Sequence, residues 1–388
     1  MTAAPAPPVP AKATASAPAN IAFIKYWGAR DLGRALPLNP SISMTLTRCR
    51  SRTTVEVLPE PGEDEVLVGA SLAATPGGAP RAGAATGSQG ADHAGTVGDA
   101  GGDAHGAEIA LRPANGEFAA RIRRHLHEIR RWAGLDSGAT AFRVATVNTF
   151  PAAAGLASSA SGFAALTVTA LAALGREAPP AELSSLARRS GSGSAARSVF
   201  GGYVEWPAPS GPVPETTDPD DPVAAVVAPA AHWDLRDLIA LVETGAKEVS
   251  SLAGHRRAPT SLYFARRLEA LPHRLAAVRR AILDRDFATL GPLIEEEAID
   301  LHLIAMSSRP PIFYWKPATL DVLAAVRALR REGVPAWATI DAGANVHVLC
   351  TPDSESAVAA RLAATLGVLE VIRDRVGAGP EIHDEHLF

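Results

Sequence analysis

Cysteine is scarce in this 388-residue chain: there are two, Cys49 and Cys350, far apart and in no Cys-x-x-Cys pattern. That scarcity excludes a disulfide framework and a thiolate metal site, and it leaves a reducing cytosol as the expected setting. No cluster of His, Cys and Asp stands at metal-ligand spacing, so no resident metal is expected. No apolar run approaches eighteen residues, which excludes a helical span and gives no sign of a membrane partner. Positive charge is not in excess either. A net charge of −4 carries no electrostatic footprint for nucleic acid. The stretch from Met1 to Pro18 lacks the apolar core of a signal peptide and reads as a disordered Ala/Pro arm. There is no internal repeat. What remains is a chain 47% hydrophobic, long enough for a large core and two domains.

Glycine and serine, by contrast, are concentrated in two places. The first is Pro151-Ala-Ala-Ala-Gly155-Leu-Ala-Ser158-Ser159-Ala-Ser161-Gly162. It follows Ala141–Val147, which alternates like a strand, and precedes Phe163–Gly175, where Leu166, Val168, Leu171 and Leu174 recur at helical spacing. A small-residue turn thus opens a helix. Its amides and the helix dipole suit an anion, and Ser158, Ser159 and Ser161 add hydroxyls. No lysine follows as in the Gly-x-x-x-x-Gly-Lys-Ser/Thr loop, and a plain tight turn before a small-residue helix fits the same residues. The second cluster is Ser190-Gly191-Ser192-Gly193-Ser194-Ala-Ala-Arg197-Ser198, read as another nest opening a second helix with an arginine one turn in. Two nests with an arginine beside one point to a poly-anionic ligand.

The rest of the pattern is α+β. Asn20–Gly28, Pro37–Leu46 and Arg52–Leu58 read as three early strands before any helix, which excludes a doubly wound repeat. Residues 73–107 are Gly, Ala, Ser, Thr and Asp with little to bury, and read as a disordered insertion. Glu117–Ala133 is helical, and its Arg121, Arg124, Arg130 and Arg131 suit either a nucleotide or a solvated face. Lys247–His255 reads as a polar loop. Helices follow over Thr260–Arg285, Phe287–Ala305 and Thr319–Glu332. Val334–Ile340 and Val346–Cys350 flank Asp341-Ala-Gly343-Ala-Asn345, and the tail after Gly377 is expected to fray.

Among residues with chemistry, Asp341 ends a strand, where a carboxylate can act as a base or simply bond its own turn. Arg197 suits bidentate capture of carboxylate or phosphate, or a surface ion pair. Lys25 suits a phosphate, or a strand edge in water. His302, alone among Leu301, Leu303 and Ile304, is expected to be a satisfied core histidine. Any metal is expected to be Mg²⁺ carried by a nucleotide.

At these residues the chain resembles the diphosphomevalonate decarboxylase family of the GHMP kinase superfamily. The resemblance is carried by Asn20-Ile-Ala-Phe-Ile-Lys-Tyr-Trp-Gly28, Pro37–Leu46, Phe150–Gly162, Ser190–Trp206 and Ile340–Asn345, and spans about Asn20 to Gly377. It implies a GHMP kinase fold: residues 19–230 like ribosomal protein S5 domain 2, residues 231–377 ferredoxin-like, the active site between them, an arm over 1–18 and a tail over 378–388. It implies ATP and Mg²⁺ and the conversion of 5-diphosphomevalonate to isopentenyl diphosphate, ADP, phosphate and CO₂ by a cytosolic homodimer. Asp341 would orient the 3-hydroxyl and accept its proton. Arg197, set by Asn20, would hold the substrate carboxylate, with Lys25 also in the catalytic set. Gly155, Leu156, Ala157, Ser158, Ser159 and Ser161 would bind ATP, with Ser159 able to reach the Mg²⁺. Tyr26, Ser192, Gly193 and Ser194 would grip the 5-phosphate end.

The chain departs from the family at Trp27-Gly28-Ala29-Arg30-Asp31, where the family reads Trp-Gly-Lys-Arg-Asp. The missing lysine contacts the diphosphate in the family. Its loss would cost about 1.5–3 kcal/mol if the contact was a charged hydrogen bond, and this leaves phosphomevalonate decarboxylation as the alternative. A 3-kinase that stops at the phosphate ester is a further rival.

Overall fold

The computed structural model describes residues 12–69, 71, 109–114, 116–135, 140–151, 158–207, 221–245 and 247–388. The low-complexity insertion over 73–107 and the segment holding Gly155, Leu156 and Ala157 lie outside them.

The N-terminal half is built on one strand. β1 (Lys12–Ile24) is followed by the short ribbon of β2 (Ala29–Asp31) and β3 (Leu36–Pro37), and then by β4 (Ser41–Leu58), which is 18 residues long. After them come β5 (Glu65–Gly69), β6 (Leu111–Pro113), α1 (Gly116–Ala133), β7 (Ala141–Asn148), α2 (Ser158–Ala173), α3 (Pro180–Arg188), β8 (Tyr203–Trp206) and β9 (Ala225–Ala228). β1 pairs with β4 along almost its whole length; β8 takes the start of β4 on its other edge and β7 takes the end. Beyond β7 the sheet continues through β5, in the parallel sense, to β6.

The second and third strands read from the sequence are thus one. Between them lies Thr47-Arg-Cys-Arg-Ser51, where the β1–β4 register shifts. Asp374, from the other half of the chain, accepts from the amides of Thr47, Arg48 and Cys49 at 2.8–3.1 Å and satisfies the irregularity. A carboxylate more than 300 residues away was invisible to local pattern.

α2 is buried almost all round, because it crosses the face of β1 and β4 beneath α1 and α3. This explains its small residues and the back-bonding of Thr167 and Thr169 to carbonyls one turn earlier, at 2.7 and 2.6 Å. The basic helix α1 does not present all its arginines to solvent. Arg130 is buried, paired with Asp64 and placed over the Phe142 ring.

The C-terminal half comprises β10 (Arg236–Leu241), α4 (Ser251–Arg257), α5 (Phe264–Asp284), α6 (Phe287–Ser307), α7 (Pro317–Arg331), β11 (Ala336–Thr339), β12 (Val346–Cys350), α8 (Glu355–Ala363) and β13 (Glu370–Arg375). Its sheet runs β11-β12-β10-β13, all antiparallel. That is the order of a ferredoxin-like βαββαβ unit. α7 and α8 cover one face through Val322, Val326, Val358 and Leu362. The other face meets α5, α6 and the β1–β4 pair in one core containing Ile21, Phe23, Ile239, Leu275 and Ile294. The two halves therefore share a hydrophobic interior, and the hairpin turn between β11 and β12 is brought against the end of β1.

Three sequence expectations are corrected here. Residues from Lys12 to Pro18 are not a disordered arm but the first part of β1, with Ala15 and Ala17 fully buried. The alanines that looked like low complexity fit where a helix lies close on the sheet. The tail does not fray: β14 (Glu381–His383) pairs with β1, and the Leu387 amide donates to Thr54 at 2.9 Å. The chain thus ends in its N-terminal sheet. Lys247–His255 is no simple loop, since Ser250 caps α4 by accepting from the Ala253 amide at 3.2 Å.

Candidate active site

β1 carries its apolar residues into the shared core and then delivers Lys25, which is 1% exposed. The ammonium donates to the Ala22 carbonyl and to Asp341 Oδ1, both at 2.7 Å. The backbone of Lys25 is fixed as well. Its amide donates to Glu297 Oε1 at 3.0 Å, and its carbonyl accepts from Asn39 and Arg267 at 2.8 Å each. Glu297 is fully buried and paired with Arg267 and Arg274, so an ionic cluster from α5 and α6 holds the end of β1.

Asp341 occupies the β11–β12 turn, with its side chain 28% exposed. Burial opposes its ionisation, but Lys25 overrides this, helped by His347 and Lys247, and the carboxyl is held below its usual range. Oδ1 is bound to Lys25, and Oδ2 accepts no hydrogen bond among the described residues.

Arg197 is 2% exposed. Its Nε donates to Ser43 at 2.9 Å, Nη1 to Ser41 and Nη2 to Asn20 Oδ1 at 3.2 Å. Asn20 is itself oriented by Ser198 at 2.8 Å and the Ser194 carbonyl at 3.3 Å. Every one of these partners is neutral. Burial lowers the guanidinium pKa to about 10, with Asp341 and then Tyr26 opposing. Three of five donors are used, leaving two for a planar anion. A buried cation without a carboxylate partner is costly unless a ligand completes it.

The helix expected after the second Gly/Ser nest is absent. Gly193–Ala196 forms a single 3₁₀ turn, and the chain then turns toward β8. Gly193 is tightly constrained: a Cβ there would lie 2.7 Å from both the Tyr26 and Trp206 rings. Tyr26 stands edge-on to Trp206 at 5.0 Å and lies 4.2 Å from the His255 ring. His255 Nδ1 accepts from the Gly28 amide at 3.0 Å, so its proton sits on Nε2, and burial followed by Arg267 pushes its pKa to about 3. Gly28 has φ +92°, and a Cβ would meet Phe264 at 2.5 Å. Ser192 and Ser194 hydroxyls lie 3.5 Å apart on this wall. Arg188, buried beside it, pairs with Asp221 and the Arg34 carbonyl.

The first Gly/Ser cluster contributes Ser158 and Ser159 at the opening turn of α2, which holds no acidic residue. Both line a cavity of about 370 Å³ whose apolar walls include Phe118, Ile122, Val144 and Phe163. Ser161 is not available to a ligand. It is fully buried, with its hydroxyl 2.7 Å from that of Ser51 on β4, which corrects its place among the expected ATP ligands.

The structure thus joins Asp341, Lys25, Arg197, Asn20 and Tyr26 in one electrostatic cluster, with Ser192–Ser194 alongside. It sets Ser158 and Ser159 on a separate cavity wall. Sequence reasoning missed Ser41 and Ser43, though their alternation puts both on one face of a strand. It also missed Lys247 beside Asp341, His255, and the Arg267–Glu297 pair, none of which has a local signature.

Residues 17–78 and 101–212 match the diphosphomevalonate decarboxylase-like N-terminal domain, and residues 237–383 match the mevalonate 5-diphosphate decarboxylase C-terminal domain. The diphosphomevalonate decarboxylase of Candida albicans is 32% identical over 97% of this chain and 99% of its own length. The chain belongs to the diphosphomevalonate decarboxylase family. The human diphosphomevalonate decarboxylase is 33% identical over 89% of this chain and 78% of its own. Among solved structures, the Staphylococcus aureus mevalonate diphosphate decarboxylase superposes with a TM-score of 0.79 at 28% identity, covering 97% of this chain and 99% of that one. A complex of MDDEF with MVAPP, AMPPCP and magnesium gives 0.77 at 30% identity over 97% and 100%. The GHMP kinase fold of the family is the fold described above.

Proposed function

We propose that this chain catalyses the ATP-dependent decarboxylation of (R)-5-diphosphomevalonate to isopentenyl diphosphate, ADP, phosphate and CO₂. The observation that carries the reading is the Arg197 guanidinium, buried among neutral partners near an ionised Asp341 that is held by Lys25. A substrate that brings both a carboxylate and a hydroxyl completes both groups at once.

Asp341 orients the tertiary 3-hydroxyl through Oδ2. With a lowered pKa it is a weak base, so it takes the proton as the oxygen becomes acidic during phosphoryl transfer. Lys25 keeps it ionised and in place. Arg197 holds the carboxylate in line with the C–C bond that breaks. Its role is to position, because a carboxylate must shed its charge to leave as CO₂. Tyr26, Ser192, Gly193 and Ser194 form the wall for the 5-phosphate end. The cavity between α1, α2 and β7 takes the adenosine, and its volume suits a nucleoside. Ser158 and Ser159, with the α2 dipole, face the phosphates.

Mg²⁺ would arrive on the ATP phosphates, where the Ser159 hydroxyl at the opening turn of α2 would reach it. There it would supply charge that neutralises the phosphate oxygens. The reading carries a cytosolic homodimer with it, tested by cell fractionation and sedimentation.

The test offers purified protein ATP with mevalonate 5-diphosphate and counts products. Equal ADP, phosphate and CO₂ are expected. In Asp341→Asn, CO₂ release is lost while ATP still binds. A stable phosphate ester without CO₂ would replace the lyase by a 3-kinase, and an Asp341→Asn variant with more than about a tenth of the wild-type rate would remove Asp341 as the base.

A further inference from the structure

Two charges stand where apolar side chains would serve the packing. The buried stripe of α6 runs through Leu290, Ile294, Glu297, Leu301 and Ile304, and that of α5 through Phe264, Arg267, Leu271 and Leu275. Glu297 is the only acid among the buried residues of α6, and Arg267 the only charged residue among those of α5. They are 0% and 3% exposed and pair with each other. Arg274 also reaches Glu297, Nη1 to Oε2 at 2.5 Å, but it has Asp300 as a second partner at 2.7 Å. A buried ion pair adds little to stability over apolar side chains of similar volume, so stability does not explain this one.

What the pair holds does. Glu297 Oε1 accepts from the Lys25 amide at 3.0 Å, and Arg267 Nη2 donates to the Lys25 carbonyl at 2.8 Å. Arg267 Nη1 donates to Asn39 Oδ1 at 3.4 Å, and Asn39 Nδ2 donates to the same carbonyl at 2.8 Å. The β1–β4 ladder ends at Ile24, so Lys25 is the first residue beyond it, and both polar groups of its backbone are bonded to side chains instead of a strand. His302, further along α6, takes no part. It is buried but not the satisfied histidine expected, since neither ring nitrogen is bonded among the described residues. We propose that Arg267 and Glu297 are positioning residues, a clamp on the Lys25 peptide that sets where its ammonium meets Asp341. The clamp and Asp341 both belong to the C-terminal half, whereas Lys25 comes from β1. Lys25 is thereby held in the frame of its partner, and their 2.7 Å contact does not depend on β1 alone. Without the clamp, the end of β1 moves past its last ladder pair and the contact loosens.

This inference rests on the Lys25–Asp341 pair serving the proposed reaction, so Lys25→Met is assayed beside the clamp variants. The charged groups acting on Asp341 are Lys25 from β1, Lys247 from the segment before α4, His347 from β12 and Arg197. Arg267→Met combined with Glu297→Met removes one charge of each sign and leaves Arg274 with Asp300, so the field at Asp341 is nearly unchanged. Its kcat is expected to fall about tenfold or more, with KM for ATP within about twofold. The acid limb of the kcat–pH profile moves to higher pH, because Asp341 loses the cation that holds its carboxyl ionised. In a Lys25→Met background the same two substitutions change kcat by less than about twofold, since the clamp acts only through Lys25. Should the paired variant fail to fold, Arg267→Lys carries the test. It keeps the charge but cannot reach Glu297, Asn39 and the Lys25 carbonyl together, so kcat falls about threefold or more and the acid limb moves the same way. A folded clamp variant with the wild-type kcat, an unmoved acid limb, or the full loss repeated in the Lys25→Met background overturns the clamp while Lys25→Met stays slow. A Lys25→Met enzyme at the wild-type rate removes the catalytic pair itself, and the clamp with it.

Discussion

Replacing Lys25 by Met removes the ammonium while keeping an unbranched stem of similar length. Two bonds of 2.7 Å disappear, to the Ala22 carbonyl and to Asp341 Oδ1. Breaking a fully buried ion pair costs about 3–5 kcal/mol, because the remaining charge is stranded. Here the remaining charge is on Asp341, whose side chain is 28% exposed, so water from the cleft reaches it. The expected loss is therefore smaller, about 2–3 kcal/mol. The pH dependence has a definite sign. Asp341 is depressed in the folded protein, so its contribution to stability is present above the ordinary carboxylate pKa and disappears as pH falls through the folded value. The gap between wild type and Lys25→Met in urea midpoint should thus be widest near neutrality and narrow below about pH 4. In the variant, burial acts on Asp341 without its main opponent, so the acid limb of kcat moves to higher pH. At the optimum, loss of one positioned charged donor lowers kcat by roughly 100-fold. Urea unfolding at pH 7 and at low pH, with CO₂ release followed across the pH range, provides the assay. An unmoved acid limb, or a stability gap that grows as pH falls, would refute the electrostatic account of this pair.

Further outcomes can be checked separately. Arg197→Lys keeps the charge but loses the planar fork that reaches Ser41, Ser43 and Asn20, and kcat should fall by about 100-fold with little change in KM for ATP, read from steady-state kinetics. Ala29→Lys restores the lysine of the Trp-Gly-Lys-Arg-Asp pattern at the start of β2 and should favour mevalonate 5-diphosphate over mevalonate 5-phosphate by about tenfold, an increment within the energy of one charged hydrogen bond. Asp374→Ala leaves the amides of Thr47, Arg48 and Cys49 without their acceptor and should lower unfolding stability by about 2–4 kcal/mol. Denaturant titration with unchanged KM separates that effect from the active site.

The sequence by itself determined the chemistry-bearing residues and their local settings. Lys25 follows an apolar strand, Asp341 lies in a tight turn between two strands, and Arg197 sits within a Gly/Ser cluster. Each is a statement about neighbours in the chain, where period and turn chemistry act directly. The motifs that carry them were enough to find the family and with it the α+β architecture. Tertiary structure alone decided which groups meet. Lys25 and Asp341 are 316 residues apart, and only the shared core of the two halves places them 2.7 Å from each other. The same distance in sequence hid Asp374 at the β4 irregularity and the return of the tail to β1. It made Ser161 a strut rather than a ligand, and it left His302 buried without bonds. Hydrogen bonding and desolvation depend on what surrounds an atom in space, and nothing in a local window of sequence reports that.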